Sequence, residues 1–441
     1  MKSSRDTVDT LAIDIDQLGQ KMYNLIVELY PICRSITGDG VRATLEIIRQ
    51  VAPVAIHQVP TGTCAFDWTV PKEWNIRDAY VKDADGNRVI DFQRHNLHVL
   101  NYSVPVNKTV SRAELEEHLY SLPAQPDLIP YRTSYYSENW GFCTSENQRR
   151  TLTADAYHVC IDSTLADGHL TYGEYLIEGE TDDEILFTCH ICHPSLCNDN
   201  LSGISLVSCL AQLLSTLSLR HSYRFLFIPG TIGSITWLAL HEEVVPKIKG
   251  GLVVAGVGDG GPFTYKKSRI GDAEIDKIVL HVLRHCAQKY SIRDFSPYGY
   301  DERQFCSPGF NMAVGSLTRT PYSEYPEYHT SADNLDFVRP MNLAESLAVY
   351  LDVIRVLENN HFYLNQNPKC EPQLGKRGLY SALGGETNAK ELQLAMLWVL
   401  NLSDGRHSAL DIAEKSNIRF NTIHQVIKQL EDARLLVRLE K

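Results

Sequence analysis

The run Cys189-His190-Ile191-Cys192-His193 and the segment Asp199-Asn200-Leu201-Ser202-Gly203 carry the side chains of this sequence best suited to metal chemistry. Neutral imidazole together with carboxylate is a common ligand set for catalytic zinc, and it leaves a position open for water. Two further candidates lie downstream: Asp259 in Gly-Val-Gly-Asp-Gly-Gly, and His329 in Glu327-Tyr328-His329-Thr330-Ser331-Ala332-Asp333. Singly, each has a plainer use. A strand-end histidine can be a hydrogen-bonded structural residue, Asp199 can cap the helix after it, and Asp259 can serve a turn. Cys189, Cys192 and Cys197 could also join His190 and His193 in a structural zinc knot, but consecutive strand residues point to opposite faces. Set at the ends of successive elements, His190 or His193, Asp199, Asp259 and His329 read together as metal ligands.

The elements that must position them alternate. Glu184 to Cys189 is a continuous apolar strand, Gly203 to Leu217 an apolar helix, Tyr223 to Ile228 a strand, Ile235 to Glu243 a helix and Gly251 to Val257 a third buried strand. Helices are expected at 17–30, 43–51, 276–290 and 342–359. Strands alternating with helices at this spacing predict a sheet covered on both faces, with ligands bound beyond the carboxyl ends of its strands. Residues 61–169 differ: they are rich in Pro, Tyr, Asn and His, and short runs such as 79–81 and 96–100 alternate in strand fashion. A mainly β insertion with long loops is expected there. It divides a catalytic domain of residues 1–60 and 170–365. A linker is expected over 364–389, and helices at 390–402, 408–416 and 420–432 make a helix-turn-helix module of residues 376–441.

In this order the motifs resemble the zinc aminopeptidase family, whose members hold two co-catalytic zinc ions on a doubly wound sheet. That family has a strand ending in a His ligand, then an Asp-Asn-x-Ser-Gly segment whose Asp bridges the metals. After the next strand comes a Glu-Glu pair, then an Asp after another strand, and finally Tyr-His-Thr followed closely by Asp. The matching positions are His190 or His193, Asp199, Asp259 and His329, and the resemblance covers residues 15–60 and 170–360. More narrowly, the chain is similar to a bacterial aminopeptidase-like family with a Cys-His-Pro segment and a C-terminal winged helix. The resemblance implies an α/β fold with a doubly wound mixed sheet of zinc-exopeptidase type, a mainly β insertion and a winged-helix-type module. It also implies one or two zinc ions and hydrolysis of an amide bond in a small peptide or N-acyl amino acid.

One departure matters. Where the family has Glu-Glu, a general base and a ligand, this chain reads Pro229-Gly230-Thr231. Three readings follow: a single-zinc hydrolase drawing its base from elsewhere, a different chemistry such as that of single-zinc glutaminyl cyclases, or an inactive metabolite-binding protein. Glu302 and Glu327 are the candidate replacement bases, since a base needs only hydrogen-bond reach of the proton it takes. Arg303 and Tyr328 fall on the substrate side of the same segments. Arg34 and Arg42, in Arg34-Ser-Ile-Thr-Gly-Asp-Gly-Val-Arg42, could hold a substrate carboxylate bidentately or could serve a structural turn.

Composition narrows the setting. A formal net charge of -12 over 441 residues argues against non-specific attraction to nucleic acid or anionic lipid. No apolar run reaches the roughly 18 residues a membrane span needs, no secretory h-region follows Met1, and eleven scattered cysteines read as reduced thiols of a cytoplasmic protein. The C-terminal module is nearly neutral and lacks the basic stripe of a DNA reader. Packing or homo-oligomerisation is its expected use. Neither a GxSxG elbow nor a P-loop occurs.

Overall fold

Strand Glu184–His190 is buried at every position, as a continuous apolar run must be when helices cover both faces of its sheet. In the computed structural model, which describes residues 7–9, 11, 13–379 and 389–440, it lies inside an eight-stranded mixed sheet. The strand order is Ala55–Pro60, His169–Ile177, Ser222–Ile228, Glu184–His190, Ile248–Val254, Val314–Thr318, Phe263–Lys266, Tyr290–Arg293. Ser222–Ile228, Glu184–His190, Ile248–Val254 and Val314–Thr318 run parallel, and antiparallel strands flank them on both sides. The parallel register sets His190 opposite Ile228, so the residues after both strands open onto the same edge of the sheet.

Helix Ile15–Leu29 buries Leu18, Met22, Leu25, Ile26 and Leu29, the face its spacing predicts, and Asp14 caps it by accepting from the Gln17 N–H at 3.0 Å. It packs on Ser202–Leu214, which lies against strands Glu184–His190 and Ile248–Val254. Charge inside the sheet is paired: Arg224 donates to both oxygens of Glu184, at 2.6 and 2.9 Å, and also binds Glu174.

The insertion contains a four-stranded antiparallel sheet in which Glu73–Lys82 and Ala156–Ala166 are the long central strands. It belongs to the same compact unit as the large sheet, a unit of residues 1–273 and 291–348. The strand-like run at 96–100 is not a strand. Asn96–His98 forms a 3-10 turn, because the His95 side chain accepts the Leu97 N–H at 3.1 Å and caps it.

The second unit comprises residues 274–290 and 349–441. Helices Ala389–Leu402, Ala409–Ser416 and Phe420–Asp432 pack on one another. Ser408 and Asp411 form a capping box, and Asn417 ends the middle helix in the left-handed conformation. Strand Phe362–Asn365 pairs with Asp404–Ser408 and Leu436–Leu439 to make the wing. The expected linker therefore begins inside this small sheet, while its residues 380–388 lie outside the described residues. Helix Glu274–His285 is tied to the same unit: His281 Nδ1 lies 2.5 Å from Glu414, and its Nε2 accepts the Phe420 N–H at 3.1 Å. Among the described residues no helix is long and apolar enough to cross a membrane, and none of the eleven cysteines forms a disulfide.

Candidate active site

Three imidazoles converge on one carboxylate. His190 Nε2 lies 2.8 Å from Asp199 Oδ1, His329 Nε2 lies 3.0 Å from Asp199 Oδ2, and His193 Nε2 lies 3.9 Å from the same Oδ2. Around a tetrahedral zinc with bonds of about 2.0–2.1 Å, neighbouring donor atoms stand about 3.3 Å apart. The observed separations bracket that figure. The donor atoms of His190, His193 and Asp199 all lie within 4.8 Å of one another and fit a zinc ion, His329 meets that group through Asp199 Oδ2, and among the described residues no cysteine joins it.

The local sequence explains this convergence. His190 is the last residue of its strand, and His193 follows in the loop that leaves it. Asp199 sits in the turn before helix Ser202–Leu214, with non-helical dihedrals of -112° and 79°. That turn is held from several directions. Asp333 accepts the Asn198 and Asp199 N–H groups at 2.6 and 3.0 Å, and its backbone carbonyl accepts from Cys197 at 3.0 Å. The Asn200 side chain donates to Val254 O at 3.0 Å and accepts from the Gly203 N–H at 3.1 Å. A Cβ at Gly203 would fall 2.3 Å from Asn200 Oδ1 and 2.4 Å from Val254 O, so this position must be glycine.

Electrostatics favour ligation. Burial alone would raise the Asp199 carboxyl, yet His193 and His190 hold it well below the ordinary carboxylate range. Burial drives His193 well below its ordinary value, against the pull of Asp199, so the ring stays neutral as a metal ligand must. Burial pushes the Asp333 carboxyl up to about 8 despite its backbone donors.

A cavity of about 160 Å³ opens on His190 and His193 and is walled by Tyr298, Tyr300, Tyr322 and Tyr328. Tyr300 stacks on His190 at 4.9 Å between ring centroids, and Tyr328 stacks on His329 at 3.9 Å. Asp301 also faces this cavity. Its Oδ1 accepts from Ser234 Oγ at 2.7 Å, its buried Oδ2 has no hydrogen-bond partner, and burial pushes the carboxyl up to about 6.

The remaining candidates separate. Asp259 is not brought to the histidines. Its oxygens are taken by Asn198 Nδ2 at 2.9 Å, the Gly261 N–H at 2.6 Å, and Thr320 Oγ1 and N–H at 2.8 and 3.3 Å, because it ties three loops together. Glu302 does not line the cavity and pairs with Lys266 Nζ at 2.5 Å. Glu327 does not line the cavity, and its backbone carbonyl accepts from Thr330. Arg34 is fully buried, where no substrate reaches it. Its Nε donates to the His193 carbonyl at 3.0 Å and its Nη1 to Leu29 O at 2.7 Å, so it braces a ligand loop. Arg42 bridges Asp39 and Glu73, joining helix Asp39–Val51 to the insertion's long strand. Arg303 and Tyr328 do line the cavity.

Two participants escaped the sequence reading. Asp301 stands beside Glu302, and nothing in the sequence separates the two. Tyr131 comes from the insertion: its N–H donates to His329 O at 2.7 Å, and its ring lies 5.0 Å from both His193 and His329. The insertion is therefore part of the wall that holds His329.

Comparison with known proteins agrees with this architecture. A family described as a domain of unknown function (DUF4910) matches residues 23–360, and one described as winged helix-turn-helix matches residues 361–438. A Clostridium acetobutylicum protein, named as a candidate polysaccharide biosynthesis protein with an aminopeptidase-like domain, is 56% identical over 420 residues, 95% of this chain and 96% of that protein. The crystal structure of a candidate peptidase from C. acetobutylicum superposes with a TM-score of 0.93 at 54% identity, covering 97% of this chain and 98% of the other. A zinc aminopeptidase from Bacillus subtilis superposes with a TM-score of 0.55 at 12% identity, covering 77% and 95%. That last likeness shows the fold alone.

Proposed function

The chain belongs to the family described as a domain of unknown function (DUF4910), and on that premise we propose that it is a zinc-dependent hydrolase of aminopeptidase type, cleaving an amide bond in a small peptide or N-acyl amino acid with Asp301 as its general base. The carrying observation is the unpartnered Oδ2 of Asp301, a residue that lines the same small cavity as His190 and His193. His190, His193, Asp199 and His329 would hold one ion. Asp259 is committed elsewhere and Gly230-Thr231 stands where the aminopeptidases carry their Glu pair, so among the described residues one ligand cluster supports one ion.

Zinc held there would polarise the amide carbonyl and acidify water enough for it to lose a proton near neutral pH. Ser234 fixes Asp301 through Oδ1 and leaves Oδ2 to take the proton from the attacking water and pass it to the departing amine. Asp301 is ionised at pH 7 yet basic enough for that transfer, since burial sets it at about 6. The stacked Tyr300 and Tyr328 rings orient His190 and His329, narrow the cavity against bulk water and bring phenol donors to its wall. A cavity of about 160 Å³ suits a substrate smaller than the drug-sized ligands of ordinary pockets.

The test is a panel of small amides offered to zinc-loaded full-length protein, with metal content measured beside turnover. One zinc per chain and hydrolysis lost in His329→Ala are expected. Protein that takes up no zinc in zinc-replete medium would sink the reading and leave a metabolite-binding role. The winged-helix unit we read as a packing element and not a nucleic-acid reader, given its near-neutral charge.

A further inference from the structure

Arg303 is a cationic side chain beside Asp301 in the cavity lining. It lines the same space as His190, His193 and Asp301, its Nε is buried without a hydrogen-bond partner, and no carboxylate forms an ion pair with it among the described residues. The neighbouring acids make no ion pair with it, although its charge is felt by the Asp301 carboxylate. Glu302 is paired with Lys266 at 2.5 Å, Glu324 with Arg293 at 2.5 Å, and Asp301 Oδ1 is held by Ser234 at 2.7 Å. A buried guanidinium nitrogen left without an acceptor is costly, and a planar fork of donors is matched best by a carboxylate.

We infer that Arg303 receives a free carboxylate of the substrate, so that the chain acts on N-acyl amino acids or peptides with a free carboxyl group beside the scissile amide. This deepens the hydrolase reading and rests on it. An enzyme selecting a free N-terminus needs an anion where the substrate's ammonium sits. Of the charged side chains lining this cavity, Asp301 is assigned to proton transfer, and Arg303 repels an ammonium. The small volume keeps the carboxylate close to the amide, because the same cavity of about 160 Å³ holds both the imidazoles and the guanidinium. The tyrosine walls exclude water around the pair and strengthen it.

The experiment is calorimetric titration of metal-free full-length protein, which cannot turn over, with a panel of N-acetyl-L-amino acids, their matched carboxamides and the corresponding aminoacyl amides. At least one acid should bind about 10- to 100-fold more tightly than its carboxamide, as expected for a charge-assisted hydrogen-bond pair. Arg303→Gln should bring that acid down to the level of the carboxamide, and Arg303→Lys should keep part of the difference. Arg303 bonds to nothing in the described structure, so both variants should melt with the parent. Acids and carboxamides binding alike, a preference that survives Arg303→Gln, or tighter binding of aminoacyl amides would each overturn the inference. Zinc-loaded protein that prefers the acids but hydrolyses none would instead count against the hydrolase reading.

Discussion

The carboxylate of Asp301 fills the room in front of Gly230. A methyl built on that glycine would lie 3.3 Å from Asp301 Oδ2 and 3.1 Å from the His190 Cβ. In the aminopeptidases this chain resembles, a glutamate leaves the strand at that place. Here Gly230, just past the strand Ser222–Ile228, carries no side chain, and a carboxylate from another segment lies against it.

Asp301→Asn should therefore lower kcat by about 10²–10⁴-fold while zinc content stays at the parent level, because Asp301 is not among the ligands. Gly230→Ala should also depress kcat, since its methyl group crowds both Asp301 and His190. Turnover and metal analysis on the same samples check both. Loss of zinc in Asp301→Asn would make this residue a ligand and not a base.

Asp259 offers the converse. Asp259→Asn should keep its zinc but lose about 1–3 kcal/mol of stability, because the amide nitrogen that replaces one oxygen cannot accept the two bonds made there, from Gly261 and Thr320 or from Asn198 and Thr320. His329→Ala should lose zinc instead. Urea unfolding with metal analysis separates the two, and a zinc-free Asp259→Asn would return this residue to the metal site.

Arg34 acts at one remove, through the backbone of His193. Arg34→Lys cannot reach both the His193 and Leu29 carbonyls, so metal affinity should fall about 10- to 100-fold. Once zinc is saturating, KM should match the parent, which a substrate-binding role for Arg34 would not allow. Competition with a chelator gives the affinity, and steady-state kinetics at excess zinc give KM.

Glu73 carries a pH dependence of stability. Partial burial would raise its pKa, but Arg42, the His169 N–H and Asn75 bring it down to about 2. Its folded value lies below its unfolded value of about 4.3. The stabilisation is therefore complete above the unfolded pKa and is lost as pH falls through that value toward 2. The pair is only partly buried, with Arg42 a quarter exposed, so solvent screening reduces its contribution to about 1 kcal/mol. Glu73→Gln should be less stable by that amount at pH 7, and the gap should be nearly closed at pH 2. Urea unfolding at both pH values is the check, and a gap that widens in acid would reverse the sign.

Whatever depends on neighbours along the chain was legible in the sequence. The strand Glu184–His190, the helix from Ser202, the amphipathic face of Ile15–Leu29 and the three C-terminal helices follow from apolar periodicity. His190, His193 and Asp199 lie within ten residues at one strand end and one helix start, so local structure alone brings them near each other. Tertiary packing decided the rest. Adjacent residues on a helix point about 100° apart, and the pairing of Glu302 with Lys266 turned Asp301, not Glu302, toward the cavity. Arg34 reaches His193 across 159 positions of sequence, and Tyr131 crosses from the insertion to His329. Asp259, read as a ligand from its place after a strand, was drawn into loop packing by donors from Asn198 and Thr320. The periodicity of a sequence fixes which residues share an element and a face, but the direction of a side chain in a loop or short helix is set by the distant groups that compete for it.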